Sequence, residues 1–572
     1  MSVAHRGGLR ERALARPRAA ALIGLAGVVF ASLLIRIVAS ANAPGPWVFV
    51  DELIYSDLGR TALSGPAIRG VPTAGYGYGY PILIAPAYAA FENLVAAFAA
   101  VKATNALVMS LTAVPVFVLA RTVLGRRWSL IASALAVLVP AMAYTSVVMT
   151  ESAFYPAFAF TAMATVLAVR RASMLWQVLA WIGIAACFEI RSQGAVLAGA
   201  LLVAVVAVAV MDGVADERSS RVRGVARALS RYWVTFLIAG VGCAALAVYL
   251  GRSDRSFSSL LGAYSIAAEA TDRYHLKPVA AWSAIHLSEF ALWVGVIPFA
   301  ALLVMACVAC TRGASRDVRV FVVVAASIIG SMTLLVGAFV VFSNVGRIEE
   351  RNLFYIGVFP LIALCWWVAA GLPRHGRWFA MVLVIAAGLP LAIPYPTLIN
   401  QTAASDTFGL YVPWALSERL FDPNLTVYAV ALGTFSAAAL MLLIPARRAW
   451  VLVAVVVAWF AVTSIAVDLK TDRAARGAVA QGISGPRDWV DQAVGANADV
   501  SVVYPGSLEP LKVWQNEFFN RSIRRVMAIS VPLPGGLPDI VVNPRERGVL
   551  YDVDGHQATA SLVLAHDSTR IA

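Results

Sequence analysis

The sequence predicts an all-α polytopic membrane domain followed by a small C-terminal α/β domain. Three observations lead there. Of 572 residues, 60% are hydrophobic and only 13% are charged, with a mean hydropathy of +0.77, far from the balance of a soluble globular protein. Apolar runs long enough to cross a bilayer recur as far as residue 467. Beyond that point the chain turns polar, with Pro, Gly and Asp turns between short β-like runs.

Residues 1–18 form a basic segment, and the membrane domain is assigned to 19–467. The first apolar run, 19–40, is too long for the apolar part of a cleaved signal, and Ala41-Asn-Ala43 is a weak cleavage site, so it reads as a retained helix. About thirteen spans are assigned: 19–40, 102–121, 129–148, 152–169, 174–190, 194–211, 232–250, 287–310, 320–342, 354–371, 378–394, 425–444 and 450–467. Arginine clusters before span one and after spans two, four, six, eight, ten and twelve all fall on one side. The positive-inside rule makes that side the cytoplasm. The N-terminus is then inside, and the C-terminus is outside with the loops 41–101, 149–151, 251–286, 343–353 and 395–424.

The first outer loop is expected to hold two interfacial helices. Residues 51–64 are amphipathic, with Leu53, Leu58 and Leu63 against Ser56, Asp57 and Arg60. Residues 80–91 are apolar but short for a span. Between them Gly75-Tyr-Gly-Tyr-Gly-Tyr80 reads either as an interfacial aromatic belt or as a loop facing sugar or lipid. The tail, 468–572, reads as an extracytoplasmic α/β domain with strands near 500–504, 523–529, 540–542 and 561–564 and a helix near 488–494.

The net charge of +13 does not indicate nucleic acid, because the arginines sit in short loops where topology places them. Only four lysines, Lys102, Lys277, Lys470 and Lys512, stand against a large arginine excess with much Ala and Val, the composition of a high-GC bacterial genome. The five cysteines lie in apolar segments, and Cys307-Val-Ala-Cys310 has no partner pair, so neither a disulfide framework nor a metal site is implied. No phosphate-binding GxxxxGK, no GxGxxG at a strand–helix junction and no HExxH occurs. The candidate chemistry therefore lies on the outer face, where a lipid-linked donor is available and a nucleotide sugar is not.

The acidic pair Asp51-Glu52 follows the first span and is flanked by apolar residues on both sides. A carboxylate at such a boundary is well placed to act as a general base on a hydroxyl. Glu151, between spans three and four, is a second boundary carboxylate, and an acidic residue at a helix start is favourable in any case. Arg191, in Glu189-Ile-Arg191-Ser-Gln193, reads as a cation lining a wet cavity or as part of a structural pair with Glu189. Arg347-Ile-Glu-Glu-Arg351 is the densest outer charge cluster outside the tail. It reads as a solvated ion-pair loop or as a phosphate site, since the arginine fork matches phosphate oxygens. Tyr264, Tyr274 and His275 fall in the loop 251–286 and are candidates to meet an acceptor.

These motifs resemble the GT-C superfamily of membrane glycosyltransferases, near the protein O-mannosyltransferases and the lipid A aminoarabinose transferase. Val50-Asp-Glu-Leu-Ile-Tyr55 resembles the acidic motif of the first outer loop, and Gly79-Tyr-Pro-Ile-Leu-Ile84 the interfacial helix after it. Met149-Thr-Glu-Ser-Ala-Phe-Tyr-Pro156, Glu189-Ile-Arg-Ser-Gln193, Glu350-Arg-Asn-Leu-Phe-Tyr355 and Val513-Trp-Gln-Asn-Glu-Phe-Phe-Asn-Arg-Ser522 are similar to segments of actinobacterial-type members.

The resemblance implies an inverting transfer of a sugar from a polyprenyl-phosphate donor to a cell-envelope glycan or lipid, on the outer face of a bacterial cytoplasmic membrane. It makes Asp51 the general base, and Arg191, Arg351 and Arg347 the ligands of the donor phosphate. Glu52, Glu151, Tyr55 and His275 would shape the site or meet the acceptor. A divalent cation is compatible with such enzymes, but no ligand set here resembles a fixed metal site. No β-trefoil insertion is recognisable, which turns the acceptor away from protein. The alternative is a transporter or flippase of an envelope precursor, for which ionisable residues at mid-bilayer and inverted repeats are the usual marks; most spans here are free of charge and no repeat is present.

Overall fold

A computed structural model describes residues 4–73, 75–215, 220–252, 276–343, 345–374, 376–398, 406–420, 422–545 and 549–566. The chain divides into two compact units. One comprises Met1–Leu34, Val108–Met142 and Phe154–Val467; the other comprises Ile35–Leu107, Ala143–Ala153 and Asp468–Ala572.

Eight helices among the described residues are long and apolar enough to cross a membrane, or up to ten if two bent pairs each count as one span. The chain is a multi-pass membrane protein. The expected spans at 174–190, 354–371 and 378–394 fall on shorter apolar helices, Met174–Ile190, Phe354–Ala369 and Gly376–Ala392. Length and composition thus support eight to ten crossings, where the sequence suggested about thirteen.

Two segments expected as single spans are broken. Arg126–Ala136 and Pro140–Ser146 meet at 56°, next to a proline that cannot donate a helical hydrogen bond. Leu276–Trp293 and Val296–Ala309 turn by 113° at Gly295, whose φ of +90° suits a residue without Cβ. The Trp459 indole N–H donates to the Trp293 carbonyl at this bend, at 3.0 Å, which satisfies an acceptor that the interrupted helix leaves over.

The helical unit also pins its apolar helices with buried polar contacts. Gln177 Oε1 accepts from the Thr235 backbone N–H and hydroxyl, at 2.9 and 3.0 Å, while its Nε2 donates to the Arg231 carbonyl. Arg170 meets Asp317 through two bonds of 2.5 and 2.7 Å, a fork geometry that guanidinium and carboxylate share.

In the second unit, helix Asp51–Thr61 leads to a short hairpin of β1 (Ala67–Ile68) and β2 (Val71–Pro72), and then to helix Gly79–Ala90. The amphipathic pattern anticipated for 51–64 is not what packs. Leu53 and Leu58 are buried, but so are Glu52, Ser56 and Asp57, while Leu63 is 82% exposed beyond the helix end. Much of the polar face is buried with partners: the Tyr88 hydroxyl donates to Ser56 and Arg60 bridges Asp57, as buried polar groups require.

The tail builds a five-stranded sheet of β3 (Val500–Tyr504), β4 (Ile523–Ile529), β5 (Ile540–Pro544), β6 (Leu550–Asp552) and β7 (Leu562–Leu564), in the order β6-β5-β4-β3-β7. All pairings are parallel except β5–β6. The expected strands match β3, β4, β5 and β7; β6 and helix Pro510–Phe519 went unread. β3 is buried at every position, as a central strand covered on both faces requires. Its core joins Val500, Val502, Val513, Ile523 and Val526. The helix Trp450–Gly482 continues past residue 467, and the division between the two units falls within it, after Val467. Arg36, which the sequence leaves inside an apolar helix, pairs with Asp468 at 3.2 Å.

Candidate active site

In the second unit Asp51 and Glu52 open helix Asp51–Thr61, where carboxylates are favoured by the amide dipoles. Adjacent residues on a helix point apart, and the two carboxylates have different fates. Asp51 is part-exposed. Glu52 is wholly buried: its Oε1 accepts from the backbone N–H groups of Trp47 and Val48, at 2.8 and 2.9 Å, and its Oε2 from that of Val148, at 2.9 Å. Burial pushes the Glu52 carboxyl up to about 7 against the pull of those three donors. Its work is to tie residues 47–48 and 148 to the helix that presents Asp51.

Other side chains brace the same segment. Gln515 donates to the Pro46 carbonyl at 2.9 Å and Trp514 stacks on Phe49 with ring centroids 5.5 Å apart. Tyr55, one turn after Asp51, is part-exposed and sits edge-on to Tyr80 at 5.7 Å and Tyr76 at 6.4 Å. Glu151 is fully buried at the first turn of helix Glu151–Arg171, with the Thr150 hydroxyl 3.5 Å from its carboxylate.

In the helical unit, Arg191 ends helix Met174–Ile190 in an extended conformation and is buried. Its Nη1 donates to the Tyr355 hydroxyl at 3.0 Å and its Nη2 to Asn352 Oδ1 at 2.5 Å. Glu189 is exposed, so the structure separates the two charges of that motif. Tyr355 is itself fixed by rings, with Phe154 at 4.5 Å and Phe158 at 5.8 Å. Asn352 Nδ2 donates to Glu349 Oε2 at 3.2 Å.

Glu349 links this pair to the other guanidiniums. Arg347 reaches Glu349 at 3.0 Å and Asp406 at 3.0 Å; Arg351 reaches the same two carboxylates at 3.7 and 3.6 Å. Burial raises the Glu349 carboxyl, and Arg351 and Arg347 oppose that. The loop is held from behind by His286, whose Nε2 accepts from the Glu349 N–H at 3.1 Å while its Nδ1 faces the Trp282 carbonyl at 2.7 Å; a proton on Nδ1 satisfies both contacts. Glu350 accepts from the Gly409 N–H at 2.6 Å, which fixes the loop that carries Asp406. Burial pushes Glu350 up to about 7. The Arg347 and Arg351 side chains keep 32% and 18% of their surface.

The structure thus places Arg347 and Arg351 against Glu349, with Arg191 joined to it through Asn352, in one unit, and Asp51, Glu52 and Tyr55 on one helix in the other. His275, Tyr264 and Tyr274 lie outside the described residues. Sequence reasoning missed Asn352, Tyr355, Asp406 and His286 as positioning residues; the Glu350-Arg-Asn-Leu-Phe-Tyr355 motif contained two of them. A divalent ion has no support from Glu52, whose two oxygens are taken by backbone donors. Among the described residues one trio could bring ligand atoms within 4.8 Å of one another, Asp552, Asp554 and His556. Asp552 Oδ1 there accepts from the Asp554 and His556 N–H groups of its own turn.

No protein-family model matches the chain, and no curated protein is detectably related to it in sequence. Among solved structures, it is similar to ArnT from Cupriavidus metallidurans bound to undecaprenyl phosphate, with 16% identity, a TM-score of 0.46, and coverage of 89% of this chain and 86% of that one. It is also similar to the Archaeoglobus fulgidus oligosaccharyltransferase in the apo form, with 11% identity, a TM-score of 0.41 and coverage of 89% of this chain. The chain spans 65% of the length of that oligosaccharyltransferase.

Proposed function

We propose that this protein is a GT-C-type membrane glycosyltransferase that uses a polyprenyl-phosphate sugar. Asp51 takes the proton of an acceptor hydroxyl as that oxygen bonds to the anomeric carbon. The bond from that carbon to the phosphate oxygen breaks on the opposite side, polyprenyl phosphate leaves, and the anomeric configuration inverts. Arg191, Arg351 and Arg347 bind the phosphate and stabilise the negative charge that grows on it as it leaves. Glu52 orients the Asp51 helix, and Tyr55 and Glu151 border the acceptor. The acceptor is an envelope glycan or lipid on the outer face of a bacterial cytoplasmic membrane.

The observation that supports this most is the pair of part-exposed guanidiniums, Arg347 and Arg351, against Glu349 and Asp406, with Arg191 joined to Glu349 through Asn352. Such a group suits a phosphate, whose oxygens the planar arginine fork matches. A part-exposed carboxylate whose helix is clamped by Glu52 adds a base. The two broken helices favour a second reading, transport of a lipid-linked precursor.

The experiment uses full-length protein in detergent with radiolabelled short-chain polyprenyl-phosphate pentoses and hexoses and a membrane extract as acceptor. Label moves to the extract with wild type and is lost with Asp51→Asn and with Arg351→Ala. Donor left intact by wild type, together with donor movement across proteoliposomes, would overturn the transferase in favour of the transporter.

A further inference from the structure

The sheet order of the tail has a consequence for binding. β4 lies on one side of β3 and β7 on the other, and all three run parallel. The chain leaves β3 through helix Pro510–Phe519 toward β4, while β7 arrives on the opposite flank. In an open parallel sheet the reversal of order beside one strand leaves a crevice at the carboxyl ends, where ligands bind. A cavity of about 500 Å³ opens there, lined by Val503 of β3, Leu564 of β7 and His566 just after it, Trp489, Lys512 and Asn516.

The lining is selective. Among the described residues, its ionisable side chains are Lys512 and His566, and none of those lining it is acidic. Lys512 Nζ lies 3.4 Å from His566 Nε2. Both sit beside the first turns of a ten-residue helix, whose amide dipoles add positive potential. Trp489 is 38% exposed, and its indole N–H donates to Asn516 Oδ1 at 2.7 Å, which fixes the ring. Apolar walls with a few fixed polar groups, in a volume of this order, describe a small-ligand site. An immobilised half-exposed indole beside a cation suits a molecule with an apolar C–H face and a negative group.

We propose that this cavity binds a sugar that carries a phosphate or a carboxylate. The site uses none of the residues assigned to glycosyl transfer and stands or falls separately.

The test is calorimetric titration of full-length protein in detergent with glucuronate, glucose 6-phosphate, glucose and inorganic phosphate. Both charged sugars bind, and glucose and inorganic phosphate bind at least about tenfold more weakly, the effect of one charge-assisted contact or one stacked ring. Lys512→Ala and Trp489→Ala each weaken the charged sugars by about tenfold with unchanged unfolding temperature, while Asp51→Asn and Arg351→Ala bind as wild type. If Lys512→Ala does not fold, Lys512→Gln replaces it. Four results each overturn the proposal: no binding of either charged sugar, glucose or phosphate binding as tightly as they do, no effect of the Lys512 change, or loss of binding in Arg351→Ala.

Discussion

Arg69 and Glu517, 448 residues apart in the chain, meet in a two-bond fork of 2.6 and 2.7 Å. Both side chains are almost entirely buried, and Asp539 takes another edge of the same guanidinium. The Arg69 backbone N–H also donates to Asp57. Through this residue the C-terminal segment is bolted to the hairpin and helix that follow Asp51.

Removing one member of such a pair leaves a charge buried alone. Glu517→Ala should therefore destabilise the protein by about 3 kcal/mol, at the low end of the range because Asp539 remains. Thermal unfolding in detergent measures it. A loss within experimental scatter would mean that the fork contributes nothing to docking the tail.

Asp51 and Glu52 should separate when changed. Asp51→Asn keeps a part-exposed group of the same shape, so the unfolding temperature should hold while kcat falls by roughly 10²- to 10⁴-fold, the usual contribution of a general base. Glu52→Ala strips three backbone N–H groups of their acceptor and should lower the unfolding temperature as well as activity. Equal effects on stability from the two changes would remove the distinction between base and clamp.

Stability should fall as pH rises through the neutral range. Glu52 moves from an ordinary 4.5 up to about 7 on folding, so the folded chain holds this proton more tightly than the unfolded chain. The contribution is then full below about 4.5 and lost as pH passes about 7. Asp57, raised to about 6, and Glu350, raised to about 7, act in the same direction. Unfolding temperatures at pH 5 and pH 8 test the sign, and Glu52→Ala should narrow the difference. A higher unfolding temperature at pH 8 would contradict the account of Glu52.

At the guanidinium cluster, Arg191→Lys removes the planar fork and retains charge. The donor KM should rise about tenfold with little change in folding, because an ammonium cannot serve Tyr355 and Asn352 together. Tyr355→Phe deletes one of the two bonds, worth about 1 kcal/mol, and should raise the donor KM severalfold. Steady-state kinetics with varied polyprenyl-phosphate sugar separate this from a loss confined to kcat, which would place Arg191 outside donor binding.

The sequence by itself determined that this is a helical multi-pass membrane protein with a small α/β tail, and it located the strands β3, β4, β5 and β7. Those are properties of local runs: apolar length sets a span and alternating or continuous hydrophobicity sets a strand. It also singled out Asp51, Glu52, Arg191, Arg347 and Arg351, because charge beside apolar surroundings is conspicuous wherever the chain later goes. Only the tertiary structure decided what each charge does. Glu52 became a clamp because the N–H groups of Trp47, Val48 and Val148 converge on it. Arg191 left its sequence neighbour Glu189 for Asn352 and Tyr355. Arg36 found Asp468, and the bend at Gly295 replaced a straight span. These pairings lie up to hundreds of residues apart, and a buried polar group takes whichever partner the packed helices bring within hydrogen-bond reach, which no periodicity along the chain records.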